Sequence, residues 1–443
     1  MGKKFDAVVI GAGLSGMGVG ALLAKAGKKV LVVEKNKSIG GRATSFNYKG
    51  YILNIGEHAG LVGGRIDVLI GAVGKKPPER GTFDEMMIYS YEKHKMENAL
   101  SLAPTDSPEM TKLIEEVMTM TPGEMEKLDA VSAREWIKPR ITNPLIEELV
   151  RTMGIVYNTI PNLEDMAASS LVYCFQKTLK STLTFLAAYG IRSFSDTLSE
   201  ALKENGGVLK TGTRAVKILL DNNRVRGVEL EPEGKNIDGM FAKVSVVEAP
   251  IVVSAIPIWN IFRLIPESTF PQEFVKSAKN MNKLTANLGF SAGLKEPLYT
   301  EKMFVMTDMP RLGYPATIFM TTNLVPPSAP KGKHLLESSS ICPIEIGDDR
   351  DRLRIAVQAM KDDLNDIYPG WEKKAQWIRP YFHWEEPART PCRDGVFKPG
   401  PRSTGIEGLF LAGDSVNTRE TPGMEAASES AMICAQNILG KLP

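Results

Sequence analysis

The sequence predicts an α/β fold that is built on a parallel β-sheet and interrupted by a second, α+β region. Three observations indicate this fold. Segment 5–35 reads as strand, glycine-rich turn, helix and strand, and segment 408–439 reads as strand, turn and long helix. A middle segment, 190–261, contains further apolar strands. Together these segments indicate an α/β protein with buried parallel strands.

The N-terminal segment is FDAVVIGAGLSGMGVGALLAKAGKKVLVVEK, with apolar runs at 7–10 and 30–33 that are typical of buried parallel strands. The glycines between them have the spacing G-x-G-x-x-G, and an acidic residue lies 18 positions after the last one. This order indicates a Rossmann-type dinucleotide-binding unit, in which the helix N-terminus holds a pyrophosphate and the acid accepts from ribose hydroxyls. The predicted dinucleotide-binding residues are Gly11, Ala12, Gly13, Leu14, Ser15, Gly16, Glu34 and Lys35.

Composition limits the class of protein. A chain of 443 residues favours two domains, and a net charge of +2 argues against a nucleic-acid partner. The four cysteines lie far apart without a CxxC pair, which predicts a reducing, cytoplasmic setting and neither disulfides nor a metal site. The glycine motif explains the apolar N-terminus better than a signal peptide does. No run of 18 apolar residues occurs, so we expect no membrane span.

Two further motifs follow Glu34: IGGRATSF at 39–46 and GYILNIGEHAG at 50–60. A nicotinamide-binding unit has no need of this extension. The motifs closely resemble those of the flavoprotein superfamily of amine oxidases, phytoene desaturases and retinol saturases. The resemblance implies that paired glycines and an arginine cover the FAD pyrophosphate, and that the second motif runs past the flavin ring. Paired glycines can line an anion-binding nest, to which an arginine adds charge. The residues concerned are Gly40, Gly41, Arg42, Gly56, Glu57 and His58.

The middle and C-terminal segments extend the resemblance. In the family, the Gly-Asp pair after the last strand approaches the ribityl and phosphate groups, and the helix from about Glu425 begins under the flavin. The backbone of a middle strand (216–220 here) holds the adenine. A buried strand within APIVVSAIPIW, which we expect to end at Pro257, packs beneath the dinucleotide near Ser254 and Ala255. The resemblance therefore implies non-covalent FAD as the cofactor. The corresponding residues are Val216, Ala255, Gly413, Asp414, Gly423 and Met424.

The same resemblance implies a discontinuous FAD-binding domain (GR2-like) with an inserted α+β substrate-binding domain. The first would comprise 1–77, 191–261 and 391–443, and the second 78–190 and 262–390. We expect helices over 78–190, including a capped start at Ser132 and one apolar helix over 167–190. Strands are expected in KLTANLGFSAGL, KMFVMTD and PATIFMTT, and a charged helix over 350–367. Helices that cover a sheet beside the flavin would form a substrate cavity.

Three kinds of chemistry suit such a protein: desaturation or saturation of a carbon–carbon bond, oxidation of an amine, and isomerisation of a double bond. Amine oxidases of the superfamily place an aromatic ring where this chain has Gly423, and no aromatic residue follows Phe410. The surroundings of Cys392 do not match the setting of a covalently attached flavin. The segment that ends in Gly-x-His resembles the retinol saturase and carotenoid isomerase branch, with Asn54 in place of an aspartate.

Glu57 and His58 are the candidate catalytic residues, because a carboxylate beside an imidazole in an apolar cavity can be tuned for proton transfer. The alternative is that both side chains pack against the cofactor loop. The sequence thus predicts an FAD-dependent oxidoreductase acting on C–C or C=C bonds of a hydrophobic, isoprenoid or carotenoid-like substrate. Amine oxidase and isomerase remain the alternatives. We expect a small-molecule partner and a cytoplasmic location, with peripheral membrane contact for substrate access left open; the sequence indicates no oligomeric state.

Overall fold

The computed structural model describes residues 3–56, 58–91, 93–99, 107–180, 184–232, 244–281, 285–385, 398–416 and 422–441. Two residues singled out from the sequence, Glu57 and Cys392, lie outside these ranges. The division of the chain into two domains stays a prediction.

A five-stranded parallel sheet carries the N-terminal glycine motif. Its order is β11-β3-β2-β15-β21, so strands from distant parts of the chain lie side by side. The two N-terminal strands are buried at every position, as expected for a parallel sheet that is covered on both faces. The strands are β2 (Ala7–Ile10), β3 (Val30–Val33), β11 (Val208–Lys210), β15 (Ile251–Ser254) and β21 (Leu409–Leu411).

Alternate side chains of this sheet pack into two cores. Ala7 and Val9 lie in the core that includes helices α1 (Leu14–Lys25), α8 (Arg192–Glu204) and α13 (Met424–Leu439). Val8 and Ile10 point the other way, as the two-residue period of a strand requires, and pack against a four-stranded sheet. Its strands, in the order β1-β14-β13-β12, are β1 (Lys3–Lys4), β12 (Thr213–Asp221), β13 (Arg224–Pro232) and β14 (Ser245–Glu248).

A seven-stranded sheet, ordered β20-β16-β19-β18-β17-β8-β9, forms the second large layer. One face, which includes Leu288 and Phe290, packs against helix α11 (Arg350–Ile367) through Leu364. The other face includes Asn287 and Gly289. The strands are β8 (Glu85–Ser90), β9 (Lys95–Asn98), β16 (Thr285–Leu294), β17 (Met303–Met309), β18 (Tyr314–Met320), β19 (His334–Pro343) and β20 (Ala375–Glu385).

Two small sheets complete the strands: a hairpin of β4 (Thr44–Tyr48) and β5 (Tyr51–Ile55), and a three-stranded sheet of β6 (Gly60–Leu61), β7 (Arg80–Thr82) and β10 (Thr184–Ala187). The remaining helices are α2 (Arg65–Ala72), α3 (Pro108–Thr119), α4 (Pro122–Lys127), α5 (Ala133–Ile137), α6 (Pro144–Asn158), α7 (Ala168–Lys180), α9 (Gln272–Asn280), α10 (Thr321–Leu324) and α12 (Trp371–Lys374). Short 3₁₀ helices lie at Leu128–Ala130, Ile258–Arg263, Glu267–Thr269, Pro326–Ser328 and Ile344–Asp348.

The capped start predicted at Ser132 is confirmed. The Ser132 hydroxyl accepts from the Glu135 amide, and the Glu135 carboxylate accepts from the Ser132 amide, each at 3.1 Å. This reciprocal capping box satisfies two amides that a helix start leaves without partners. Among the described residues, no helix combines the length and the apolar character needed to cross a bilayer.

The strand predicted to end at Pro257 is confirmed, since β15 ends at Ser254 and a 3₁₀ helix begins after Pro257. Two element predictions are wrong. The apolar stretch 167–190 is not one helix, because its C-terminal part forms β10 between β6 and β7. The region 78–190 is not purely helical either, because β8 extends the seven-stranded sheet by pairing with β17.

Candidate functional site

The glycine-rich turn is held against the end of β15. Gly11 has a φ of +102°, and a Cβ on it would lie 2.8 Å from the carbonyl oxygen of Ala255. A Cβ on Gly16 would lie 2.0 Å from the carbonyl oxygen of Gly11, so helix α1 needs glycine there to pack on the turn. Helix α1 begins after Gly13, which has no side chain to cap it. The free amides of the first helical turn therefore point into the adjoining cavity, as an anion site requires.

Glu34, at the end of β3, is 7% exposed and already has two backbone partners. One carboxylate oxygen accepts from the Ala12 amide at 2.9 Å, and the other accepts from the Asn36 amide at 2.8 Å. Each carboxylate oxygen has a second acceptor site. Glu34 can therefore hold the shape of the glycine turn and still accept hydrogen bonds from a ribose.

The loop that contains Gly40 and Gly41 packs, backbone to backbone, on the N-terminal glycine-rich turn. The amide of Gly40 donates to the Ala12 carbonyl at 2.9 Å. Gly41 has a φ of +61°, and a Cβ on it would lie 3.2 Å from the Cα of Gly13. The two glycine motifs therefore form one continuous wall, and side chains at either position would push the loops apart.

Arg42 and Asp414 contact each other although 372 positions separate them. The Arg42 guanidinium donates to both carboxylate oxygens of Asp414, at 2.7 and 2.8 Å, and lies 4.9 Å from the centre of the Trp384 ring. Lys398 donates to the Asp414 carbonyl at 2.8 Å. This ion pair joins the N-terminal and C-terminal parts of the cavity wall, a link that the separate motifs did not reveal.

Strand β12 has a bulge at Val216. Its ladder with β13 pairs Ala215 with Leu230 and then Lys217 with Glu229, which leaves Val216 without a ladder partner. A bulge re-aims the backbone of the extra residue. Here the bulged residue lines the cavity, where the sequence predicted that this backbone holds an adenine.

These elements surround a cavity of about 570 Å³. Among the charged residues of its wall, four are cationic (Lys35, Arg42, Arg214 and Arg263) and two are acidic (Glu34 and Asp414), which suits a diphosphate. Of the predicted residues, those on the wall are Gly11, Gly13, Leu14, Ser15, Glu34, Lys35, Gly40, Gly41, Arg42, Val216, Ala255, Gly413, Asp414, Gly423 and Met424. Ala12 and Gly16 lie behind the wall and hold its shape.

A second cavity, of about 130 Å³, adjoins the first, because Gly423 and Met424 line both. Gly56 and His58 lie on its wall, away from the first cavity. A Cβ on Gly56 would lie 2.0 Å from the carbonyl oxygen of Arg42, so this glycine is needed for packing. The apolar part of the wall consists of Ala59, Leu61, Val156, Phe304, Phe319, Ile341, Pro422 and Met424.

His58 is 7% exposed and has polar neighbours at both ring nitrogens. Its Nε2 lies 3.1 Å from the Tyr381 hydroxyl, and its Nδ1 lies 3.3 Å from a carboxylate oxygen of the fully buried Glu337. The second contact is an ion-pair distance without hydrogen-bond geometry. The Thr321 hydroxyl donates to the other Glu337 oxygen at 2.6 Å. This arrangement can fix the orientation of the imidazole ring.

Sequence reasoning missed Glu337 and Tyr381. They lie on β19 and β20, far from His58 in the chain, and belong to no short motif. Tyr381 reaches His58 because Gly289 leaves room: a Cβ on Gly289 would lie 2.5 Å from the Tyr381 hydroxyl oxygen. Alternation along the strands predicts the face of such residues but not their partners.

Tyr157 also lies on the wall of the second cavity. Burial raises the pKa of its hydroxyl to about 12, although a hydrogen bond with Thr184 acts in the opposite direction. Tyr157 is therefore a neutral hydrogen-bonding group at ordinary pH and not a base.

The fold and the two cavities define a dinucleotide-binding protein with an adjoining apolar chamber. A profile of the family described as flavin containing amine oxidoreductase matches residues 79–439, and one described as NAD(P)-binding Rossmann-like domain matches residues 9–64. The chain belongs to the flavin-containing amine oxidoreductase family. The predicted α/β, Rossmann-type fold is thereby confirmed, and the protein is a flavin-dependent oxidoreductase.

Similar proteins indicate the branch of the family to which the chain is related. The chain is 23% identical to the 15-cis-phytoene desaturase of Narcissus pseudonarcissus, an alignment that covers 99% of this chain and 80% of that protein. It is 26% identical to the all-trans-retinol 13,14-reductase of Danio rerio over 45% of this chain and 30% of that protein. An oxidoreductase structure from Methanosarcina mazei superposes with a TM-score of 0.78 at 20% identity, covering 99% of this chain and all of that one. The predicted phytoene desaturase and retinol saturase-like branch is confirmed.

Proposed function

We propose that the protein is an FAD-dependent oxidoreductase that desaturates or saturates a carbon–carbon bond of a hydrophobic, isoprenoid or carotenoid-like substrate. The observation that carries this proposal is the apolar second cavity, which adjoins the dinucleotide cavity at Gly423 and Met424. The names of the desaturase and reductase relatives support the same class of substrate.

The residues of the first cavity fit FAD. The helix start at Gly13 and the surrounding cations suit its diphosphate, Glu34 suits a ribose, and the bulge at Val216 offers backbone groups to an adenine. When bound, FAD would accept a hydride from the substrate or deliver one to it. We infer non-covalent binding, because the residues around Cys392 do not match the setting of a covalently attached flavin.

The volume of the second cavity limits what it can hold. At about 130 Å³ it equals the liquid volume of roughly four water molecules, close to one isoprene unit. We infer that the reacting segment of the substrate enters this cavity while the rest of a long chain lies beyond it. Peripheral contact with a membrane would then bring a long substrate within reach.

His58 is the proposed proton-transfer group. Saturation of a double bond requires a proton at the carbon next to the one that receives the hydride, and desaturation requires its removal. His58 lies on the wall of the second cavity, and its ring is held between Glu337 and Tyr381. Glu57 is a second candidate for the proton-transfer group, proposed from the sequence alone.

The proposal is tested by anaerobic titration of the purified protein. It should carry a yellow cofactor that acid precipitation releases as FAD. Isoprenoids should bleach the oxidised flavin band or be consumed by the chemically reduced protein, whereas primary amines and polyamines should leave the band unchanged. Saturable bleaching by a simple amine, with aldehyde and ammonia as products, would establish an amine oxidase instead.

A further inference from the structure

The wall of the second cavity has a polar side that the proposed reaction does not use. Asn287 on β16, Thr317 on β18 and Ser339 on β19 all line the cavity. Thr317 pairs with Ser339 across the ladder, and Asn287 pairs with Ile341, two residues further along β19. The three side chains therefore project from one face of the seven-stranded sheet, and we call them the polar wall.

Thr317 and Ser339 of the polar wall form a hydrogen bond with each other, whereas Asn287 is not part of this pair. The Thr317 and Ser339 hydroxyls lie 2.9 Å apart. The Asn287 side chain is more than nine-tenths buried, yet its Oδ1 accepts no hydrogen bond from any described residue. Buried polar groups almost always have partners, because leaving one unpaired costs stability. A buried, unpaired amide oxygen on a cavity wall indicates a ligand group that completes it.

The hydrogen-bonding capacity of the Asn287 amide determines which ligand group would bind it. A carboxamide offers an acceptor oxygen and a donor NH2 group, whichever way its oxygen and nitrogen are assigned. A hydroxyl can donate to the first and accept from the second. A hydrocarbon would contact Phe304, Phe319 and Ile341 on the apolar side but would leave the amide oxygen unpaired.

We propose that the second cavity recognises an oxygenated substrate, an unsaturated apolar molecule whose hydroxyl binds the polar wall, in preference to a pure hydrocarbon. This inference rests on the proposed function, because it assumes that the second cavity is the substrate site. An ammonium group is the competing occupant, since the Glu425 carboxylate also lines the cavity. One oxygen of that carboxylate accepts from the Arg65 amide at 2.6 Å, at the start of α2, which favours a structural role.

The test uses three five-carbon ligands that differ in a single group: 3-methylbut-2-en-1-ol, 3-methylbut-2-en-1-amine and 2-methylbut-2-ene. Each has about the size of the cavity. Their binding to the flavin-loaded protein is measured by ligand-observed NMR and by the shift of the oxidised flavin band. We expect the alcohol to bind roughly tenfold more tightly than the hydrocarbon and the amine, as one net hydrogen bond to a buried amide predicts.

The variants Asn287→Leu, Thr317→Val and Ser339→Ala should each reduce the preference for the alcohol, and Asn287→Leu should abolish it while leaving hydrocarbon binding within about twofold. Ser340→Ala is the matched control. Ser340 is the next residue on β19, its hydroxyl donates to the Pro315 carbonyl at 2.8 Å, and it does not line the cavity. This variant should keep the wild-type preference. If Asn287→Leu does not fold, the preference for the alcohol in Ser339→Ala is compared with that in Ser340→Ala, and a lower preference in Ser339→Ala supports the inference.

Equal binding of the alcohol and the hydrocarbon by the wild type would overturn the inference, and so would tighter binding of the amine. A preference for the alcohol that persists in all three polar-wall variants would place recognition elsewhere and also overturn it. A preference that depends on Asn287 in a protein that reduces or oxidises no isoprenoid would support the inference and contradict the proposed reaction. The binding and turnover readouts therefore separate the two proposals.

Discussion

At the scale of single residues, the carboxylates of the two cavities have structural tasks that their motifs did not show. Glu34 holds the amides of the glycine turn, Asp414 binds Arg42, and Glu337 lies beside His58. Each of these acids is buried, so removing it deprives its partner of a hydrogen bond or an ion pair. Substitutions at these positions should therefore affect the shape of the site as well as its chemistry.

Glu34→Ala should weaken FAD retention by about 1.5–3 kcal/mol for each charge-assisted hydrogen bond lost. It should also lower the melting temperature of the apoprotein, because the Ala12 and Asn36 amides lose their acceptor. Equilibrium dialysis of the flavin and a thermal melt of the apoprotein measure the two effects separately.

Glu200→Gln, an exposed change on α8, is the control and should alter neither quantity. An unchanged FAD affinity in Glu34→Ala would show that the carboxylate serves the turn alone.

His58→Gln should slow flavin reduction or reoxidation by substrate roughly 10²-fold while leaving FAD retention unchanged, because a positioned acid–base group contributes at least that factor. Glu337→Gln should slow the same step by a smaller factor, since Glu337 faces His58 at 3.3 Å and Tyr381 and Thr321 are the other polar neighbours of the pair. Stopped-flow absorbance of the flavin gives the rates.

His334→Gln, on the same strand as Glu337, is the matched control and should react at the wild-type rate. If His58→Gln also reacts at that rate, His58 packs against the cofactor loop and does no chemistry.

At the scale of elements, strands and helices meet through glycines at the dinucleotide site. A Cβ at Gly16 would lie 2.0 Å from the turn beneath α1, whereas a Cβ at Gly71, in helix α2, would meet nothing within 4 Å. The two glycines are both helical, but only one is needed for close packing.

Gly16→Ala should therefore destabilise the protein by about 1–3 kcal/mol and reduce FAD retention, as an overpacked contact does. Gly71→Ala should instead stabilise α2 by about 0.5–1 kcal/mol, because alanine has the higher helix propensity. Chemical denaturation measures both. A Gly16→Ala variant as stable as the wild type would mean that α1 can move away from β2 at little cost.

The sequence could predict those secondary-structure elements that depend on neighbouring residues, but not those that depend on distant strands. The bounds of β2 and β3 and the capping box at Ser132 followed from local patterns, because neighbouring residues determine them. The prediction of one helix over 167–190 was wrong, because the last part of this stretch forms a strand by pairing with β6 and β7, which are distant in the chain. For the same reason Glu337, Tyr381 and Asn287 were not predicted: a strand pattern indicates a face but not what lies opposite.

At the scale of the whole molecule, the first cavity is built by three parts of the chain. The glycine turns come from the N-terminal part, the bulge at Val216 from the middle, and Asp414 and Met424 from the C-terminal part. A ligand that fills this cavity contacts all three parts and so stabilises the native state against unfolding of any of them.

FAD added to the apoprotein should raise its stability by about 2.7 kcal/mol at a free concentration one hundred times the dissociation constant. Limited proteolysis should show protection in segments 5–56, 191–232 and 398–441 together. NAD at the same free concentration serves as the comparison ligand and should stabilise the protein far less, because it is bound far more weakly. Protection confined to the N-terminal segment would indicate that the cavity closes without the C-terminal part.

The pairing of Arg42 with Asp414 also bears on the order of events during synthesis. The ribosome makes Asp414 372 residues after Arg42, and the edge strand β21 likewise emerges long after β2 and β3. A nascent chain can form β2, α1 and β3 soon after they appear, but it lacks one side of the first cavity until β21 and Asp414 have been made. Cofactor capture is therefore a late event, and a prematurely terminated chain would expose an unfinished parallel sheet that can aggregate.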